Sequence, residues 1–448
     1  MNGISSFVPE SRKPQSDRKM VFGWIRRDLG ENGCRQLDEV VAGGMRGWLA
    51  DTGHRLVKDI EQQIGEIGTR GQGGSSDGGA ANPDTLAVVM NQVAEMFHGL
   101  GRFGDAEELY RRSLALDEEF HGPAHEHTAE TAQALGTLLV QQNQAAEAEA
   151  LLRRALAANE GRFGGDHAKA AHSRLSLAQL LQRTGQVGAA EELFRSALAT
   201  FEGPAASTEK GAKEVQADCI FELATLLMET GRLGGSEALF RRSLDLREAS
   251  LGPKHPRTAS SLSSLGAALQ AMGRFAEAEP IYRRALASKE ACYGPEHVNT
   301  AGTLMNLGDM LSQARRLAEA EPLLRRSLGI MERGVGPAHP GTLKVVNNLA
   351  ALLMTEAVTG ANNRLEEAEA LMRRCIEGRE AALGLAHAET ISSMTNLGSE
   401  IFGPQIKETR LGPVSRFPPS LQSCESTYSR VLSLLRPNTT PPRVIQIY

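Results

Sequence analysis

Residues 273–286 read GRFAEAEPIYRRAL, and the same phrase returns along the chain. It appears as GRFGDAEELYRRSL at 101–114, NQAAEAEALLRRAL at 143–156 and GQVGAAEELFRSAL at 185–198. It continues as GRLGGSEALFRRSL at 231–244, RRLAEAEPLLRRSL at 315–328 and NRLEEAEALMRRCI at 363–376. Successive starts differ by 42, 42, 46, 42, 42 and 48 residues, which is one period with two short insertions. Self-similarity at a fixed period is the mark of a solenoid, in which each unit buries its apolar face only against its neighbours.

Each copy contains two helical stretches. Upstream of the phrase lies a segment such as Thr303–Leu311 (TLMNLGDML), with apolar residues at helical spacing. A Gly or polar residue then breaks the chain. The second stretch opens on acidic residues and carries its Arg pair later, the polarity that the helix dipole favours. It ends at a glycine, often followed by proline: Gly122-Pro123, Gly252-Pro253, Gly294-Pro295, Gly336-Pro337. A glycine there can take a left-handed cap and the proline stops the helix.

Close packing is written in the columns. One position of the first helix is always small: Ala94, Gly136, Ala178, Ala224, Gly266, Gly308, Ala350, Gly398. Two positions of the second helix are small as well, Ala106 to Ala368 and Ser113 to Cys375. Between them runs a large column: Tyr110, Leu152, Phe194, Phe240, Tyr282, Leu324, Met372. Small holes facing large knobs at fixed offsets predict an all-α solenoid of antiparallel helix pairs. Composition agrees: 41% hydrophobic but only 4% aromatic residues suit helix-on-helix packing better than a sandwich or barrel.

The Leu-Gly pair, the turn glycine, and the Ala, aromatic, Ala succession resemble the tetratricopeptide repeat. The 42-residue period and the Gly-Pro-x-His junction (Gly252–His255, Gly336–His339) resemble its kinesin-light-chain type. The resemblance covers about residues 82–402 and implies a right-handed superhelix. It also implies a non-enzymatic protein–protein interaction scaffold that binds a peptide or protein segment in a concave groove. A cargo adaptor with a kinesin heavy chain as partner is one alternative. A regulatory repeat arm of a nucleotide-hydrolysing signalling complex is the other.

The ends divide by composition. Residues 1–33 are expected to be disordered, 34–68 to form an amphipathic helical segment, and 69–81 a Gly/Ser-rich linker. Kinesin light chains precede their repeats with a heptad segment that binds the motor. Here Val57, Ile60, Ile64 and Ile67 give about two heptads, fewer than the three or four that define a coiled coil. Seven repeats and the first helix of an eighth are expected over 82–402. A Pro-rich insertion and degenerate capping helix follow at 403–436, then a tail at 437–448.

Charge and motifs exclude several classes. A formal net charge of −5 without a basic block argues against nucleic acid. No run of 18 apolar residues and no secretory h-region occur, which predicts a cytoplasmic protein without a membrane partner. Five scattered cysteines with no Cys-x-x-Cys fit a reducing compartment. No nucleotide, zincin or hydrolase motif occurs, so no catalytic residue, cofactor or metal is expected. His121, His125 and His127 near Glu130 look most like a metal cluster. His125, however, belongs to a column with His167, His255, His297, His339 and His387, one per junction, and is expected to fix the loop by a hydrogen bond. The Arg pairs (Arg111–Arg112 through Arg373–Arg374) read as a solvated face with i,i+4 partners. Asn306, Asn348 and Asn396 read as links between neighbouring helices.

The resemblance places the groove on the first helices, three residues before and one after the small position. The earlier column is Asn91, Gln133, Leu175, Phe221, Ser263, Met305, Asn347 and Thr395; the later one is Glu95, Thr137, Gln179, Thr225, Ala267, Asp309, Ala351 and Ser399. The expected lining is polar and mostly uncharged, with Leu175, Phe221 and Met305 as apolar sockets. Chaperone-binding members carry Lys in the earlier column and Asn in the later, and neither occurs here; Lys344 is a lone base on that face.

Overall fold

The computed structural model describes residues 83–99, 101–203, 211–359, 364–384 and 387–394. All regular secondary structure among them is helical. The helices are α1 Pro83–Gly99, α2 Phe103–His121, α3 Glu126–Gln141, α4 Ala145–Phe163, α5 Ala168–Arg183, α6 Val187–Glu202 and α7 Ala212–Glu229. They continue as α8 Leu233–Leu251, α9 Pro256–Ala271, α10 Phe275–Tyr293, α11 Val298–Gln313, α12 Leu317–Val335, α13 Pro340–Thr359 and α14 Leu365–Leu383, and residues 388–394 are again helical. Residues 1–33, 34–68, 69–81, 403–436 and 437–448 lie outside the described residues, as do Asn396, Gly398, Thr395 and Ser399.

The chain forms two compact units, one up to Leu226 and one from Leu227. In the first, α1 packs on α2, α3 on α4 and α5 on α6, and α2 and α4 each pack on the next first helix. In the second, α9 packs on α10, α11 on α12 and α13 on α14, with α8, α10 and α12 each packed on the first helix that follows. Each unit is thus an all-α helical-repeat solenoid.

The small and large columns decide this packing. Ala94, Ala106, Ala148, Ala178, Ala278, Ala320 and Ala350 are wholly buried, and so are Leu152, Phe194, Phe240 and Leu324. A Cβ added at Gly308 would lie 2.8 Å from Leu324 Cγ, and one at Gly266 would lie 2.8 Å from Tyr282 Cε1. The small residue is therefore a steric requirement of the knob facing it. Where the small residue is Ser or Cys, its polar atom is bonded inward: the Ser113 and Ser327 hydroxyls donate to the Ala87 and Ala301 carbonyls at 2.8 Å.

The junctions follow one plan. The His column caps the first helices: Nδ1 of His125, His167, His255, His297, His339 and His387 accepts the backbone N–H two residues on, at 3.1–3.3 Å. An accepting Nδ1 carries no proton, so the capping bond is made by the tautomer with hydrogen on Nε2. The preceding Gly122, Gly252, Gly294 and Gly336 have φ from 82° to 96° with ψ from 161° to 167°. This is not the left-handed helical cap expected from the sequence but an extended mirror conformation open essentially to glycine alone. A threonine clamps the loop: Thr128, Thr258, Thr300, Thr342 and Thr390 donate to the carbonyl of the glycine six residues earlier, at 2.7–3.0 Å.

Candidate functional site

The two faces of each unit are spent differently. On the second helices the Arg column is paired. Arg241, Arg283 and Arg325 reach the Glu four residues earlier at 2.8–2.9 Å, and Arg274 and Arg364 reach Glu237 and Glu321 of the preceding repeat at 2.6 and 2.8 Å. Arg154, Arg326 and Arg374 bridge to Glu118, Glu290 and Glu332. Glu279 takes both Arg316 and Arg283, which hold its carboxyl below the usual carboxylate range. The ladder is thus a lattice of solvent-screened ion pairs within and between repeats, each contributing little to stability.

The first helices carry the sequence-predicted site. In the first unit Asn91 and Glu95 stand on α1, Gln133 and Thr137 on α3, Leu175 and Gln179 on α5, and Phe221 and Thr225 on α7. In the second unit Ser263 and Ala267 stand on α9, Met305 and Asp309 on α11, and Asn347 and Ala351 on α13. Glu95 is exposed and all the others are half-buried.

Several of these side chains are tied within the fold. The Asn91 amide donates to the Thr131 hydroxyl at 2.7 Å, and that hydroxyl donates to Asp117 Oδ2 at 2.8 Å. One repeat on, Asn159 Nδ2 donates to Ser173 Oγ at 2.9 Å, and Ser173 Oγ donates to Gln133 Oε1 at 2.7 Å. In the second unit Ser393 Oγ meets Asn347 Oδ1 at 3.3 Å and accepts from Arg379. Gln270 and Gln313 donate to Asp309 Oδ2 at 2.7 and 3.0 Å. Burial nevertheless raises the Asp309 carboxyl above its usual range, against these two amides and the charge of Lys344. Asn306 and Asn348, expected to link helices, make no side-chain hydrogen bond among the described residues, and the earlier groove column makes the links instead.

A column that the sequence reading missed completes these ties. It lies on the second helix seven residues after the large knob: Asp117, Asn159, Phe201, Arg247, Lys289, Met331, Arg379. The matching positions are Thr131, Ser173, Cys219, Ser261, Thr303, Val345 and Ser393, five residues before the small position of the following repeat. Polar faces polar and apolar faces apolar: Arg247 donates to Ser261 Oγ at 2.7 Å, whereas Met331 and Val345 share an apolar cluster with Met305 packed on it. Matched polarity at the two offsets was the signal available in the sequence.

At the first junction the rings of His121 and His125 stack at 4.3 Å and His127 lies 5.3 Å from His125, centroid to centroid. Among the described residues no group of three or more His, Cys, Asp or Glu is arranged to hold a metal ion. No described helix is long and apolar enough to cross a membrane.

Repeated helix pairs with tied inner layers define a helical-repeat interaction scaffold. Models of the tetratricopeptide repeat match residues 85–161, 216–291 and 264–333, with two related models matching 134–207 and 357–389. The chain belongs to the tetratricopeptide repeat family, whose members are typically non-enzymatic scaffolds. No curated protein matches the sequence closely enough to count as a relative. Among solved structures, the apo quorum sensor NprR from B. thuringiensis is 14% identical over 91% of this chain and 99% of that one, with a TM-score of 0.55. Apo RapI is 11% identical over 90% and 97%, with a TM-score of 0.53. A Podospora anserina protein assigned to the kinesin light chains, with nearly identical TPR-like repeats, is 23% identical over 47% and 97%, with a TM-score of 0.41. At these identities the likeness is one of fold.

Proposed function

We propose that this protein binds an extended segment of a partner protein along the first-helix face of a unit, lined by Asn91, Glu95, Gln133, Gln179, Phe221 and Thr225 in the first unit and by Ser263, Met305, Asp309 and Asn347 in the second. The carrying observation is the contrast between the faces: the second-helix arginines are paired with carboxylates, while the first-helix columns remain half-open. Phe221 and Leu175 in one unit and Met305 in the other offer apolar contact, and Thr137, Gln179 and Thr225 offer hydrogen bonds to a peptide backbone. Motor attachment would depend on 34–68, outside the described residues, and nothing among the described residues favours it over other partners.

The test is capture from a cell lysate on the full chain, beside Thr225→Arg and Ala267→Arg chains. Each variant adds bulk to the half-open face without removing a core contact. A partner captured by the wild type and lost by both variants, at unchanged melting temperature, supports the groove. Equal capture on all three baits moves binding to another surface.

A further inference from the structure

One layer of the second unit lacks what the others have. Among the second-helix column residues, Asp117, Asn159, Arg247 and Arg379 each bond to the hydroxyl opposite. Lys289 does not: it makes no hydrogen bond or ion pair among the described residues, although it is mostly buried. The hydroxyl opposite it, Thr303 Oγ1, is fully buried and also has no partner. Ser263, the third member of the layer, donates to the Ala259 carbonyl of its own helix at 3.0 Å.

Chemistry explains the mismatch. Three of the four filled layers contain an amide oxygen or carboxylate that accepts, Asp117, Gln133 or Asn347, and in the fourth the forked guanidinium of Arg247 reaches both Ser261 Oγ and the Arg257 carbonyl. Ser263, Lys289 and Thr303 bring an ammonium and two hydroxyls, with no such acceptor. Beside Thr303, Gly302 leaves open space, with nothing within 4 Å of where a Cβ would stand. The same position carries Glu130, His172, Asp218, Ser260 and Lys344 in other repeats. The neighbouring lining is also small, with Ser260, Ser263 and Ala267 on α9. A gap in the lining thus adjoins a layer that is short of one acceptor.

We propose that the Ser263–Lys289–Thr303 layer, opened by Gly302, is a socket for a carboxylate of the bound protein segment. The inference rests on the groove reading and deepens it by naming the chemistry of one ligand side chain. A single ammonium matches a single negative charge; a phosphoryl dianion would leave half its charge unmatched in a partly desolvated site. The loss of water around the amine, which lowers the Lys289 pKa to about 8 with no nearby charge to offset it, is relieved when the carboxylate arrives.

The experiment is display selection of random 12-residue peptides on the full chain, with Ala267→Arg, Lys289→Met, Lys289→Arg and Gly302→Leu chains in parallel. Gly302→Leu fills the gap and leaves the amine in place, so it guards against a folding defect peculiar to Lys289→Met. The expected result is enrichment of Asp or Glu at one peptide position. The leading peptide should lose about tenfold in affinity on Lys289→Met and on Gly302→Leu, and keep most of it on Lys289→Arg. Replacing the acidic residue by its amide should cost the same. Loss on amidating the C-terminus instead would assign the carboxylate to the peptide end, and a gain on phosphoserine would overturn the single-charge argument. Peptides blocked by Ala267→Arg but with no acidic preference, or with one indifferent to Lys289→Met and Gly302→Leu, overturn the socket and leave the groove. Failure to select any peptide blocked by Ala267→Arg overturns both.

Discussion

Replacing Lys289 with methionine removes the charge and keeps an unbranched stem of similar volume, so packing changes little. Burial holds the amine at about 8 against the ordinary 10.5, and no neighbouring charge contributes. The folded-state value is thus the lower of the two, and the unfolded chain binds the proton more tightly. Below pH 8 the buried ammonium destabilises the folded chain by its full amount. Between 8 and 10.5 the folded chain sheds its proton first, so stability rises with pH through this window. At about 1.36 kcal/mol per pH unit the interval corresponds to about 3 kcal/mol. The variant should therefore exceed the wild type by about 1–3 kcal/mol at pH 7, the lower figure applying if the amine regains some water. Urea denaturation followed by circular dichroism, at pH 7 and at pH 10.5, measures it. Midpoints are compared rather than extrapolated free energies, because stacked repeats need not unfold in one step. The midpoint gap should be wide at pH 7 and largely closed at pH 10.5. A destabilised variant at pH 7, or a gap independent of pH, would refute the reasoning.

Three other perturbations probe the same architecture. Gly308→Leu drives a side chain into Leu324, only 2.8 Å from the new Cβ, and should cost about 1–3 kcal/mol in a urea midpoint; no change would count against the register. His125→Asn keeps an N-cap acceptor but removes a titrating ring whose pKa is lowered by burial and then by the charges of His121, Arg162 and His127. A lowered folded-state value means that the ring's contribution is present above the ordinary 6.5 and lost as pH falls, so the variant should lose less stability between pH 7 and 5. An equal loss in both chains would assign the acid sensitivity elsewhere. Arg315 sits at φ 61°, where Gly101, Gly185, Gly231 and Gly273 stand in other repeats, so Arg315→Gly should raise the melting midpoint by the equivalent of about 0.5–1 kcal/mol. A lowered midpoint would show that the Arg315 side chain contributes more than the backbone strain costs.

The period, the small and large columns and the Gly-Pro-x-His junction were legible because they repeat, and a steric requirement repeated at one offset announces itself. Gly308 and Leu324 illustrate this: either residue alone says little, but the two columns together specify the contact that the packed helices make. The capping role of His297 was legible as far as its place in the junction; its acceptance of the Asn299 N–H was visible only in three dimensions. The junction glycines were expected in a left-handed helical cap, and a positive φ was correct while ψ was not, since ψ depends on where the next helix must start.

The candidate site divides in the same way. Sequence alone determined that the chain is a stack of helix pairs and which faces pack, because these follow from spacing along single helices; the groove columns of the first helices came from the resemblance to the repeat family. Only the tertiary structure decided that Asn91, Gln133 and Asn347 are bound into layers between repeats while Lys289 and Thr303 are left without partners. Each layer joins residues from three helices, 14 to 46 positions apart, as in Asn159 with Ser173 and Asn347 with Ser393. Whether their polar atoms meet depends on tenths of an ångström in helix packing, and residue spacing along the chain carries no such information.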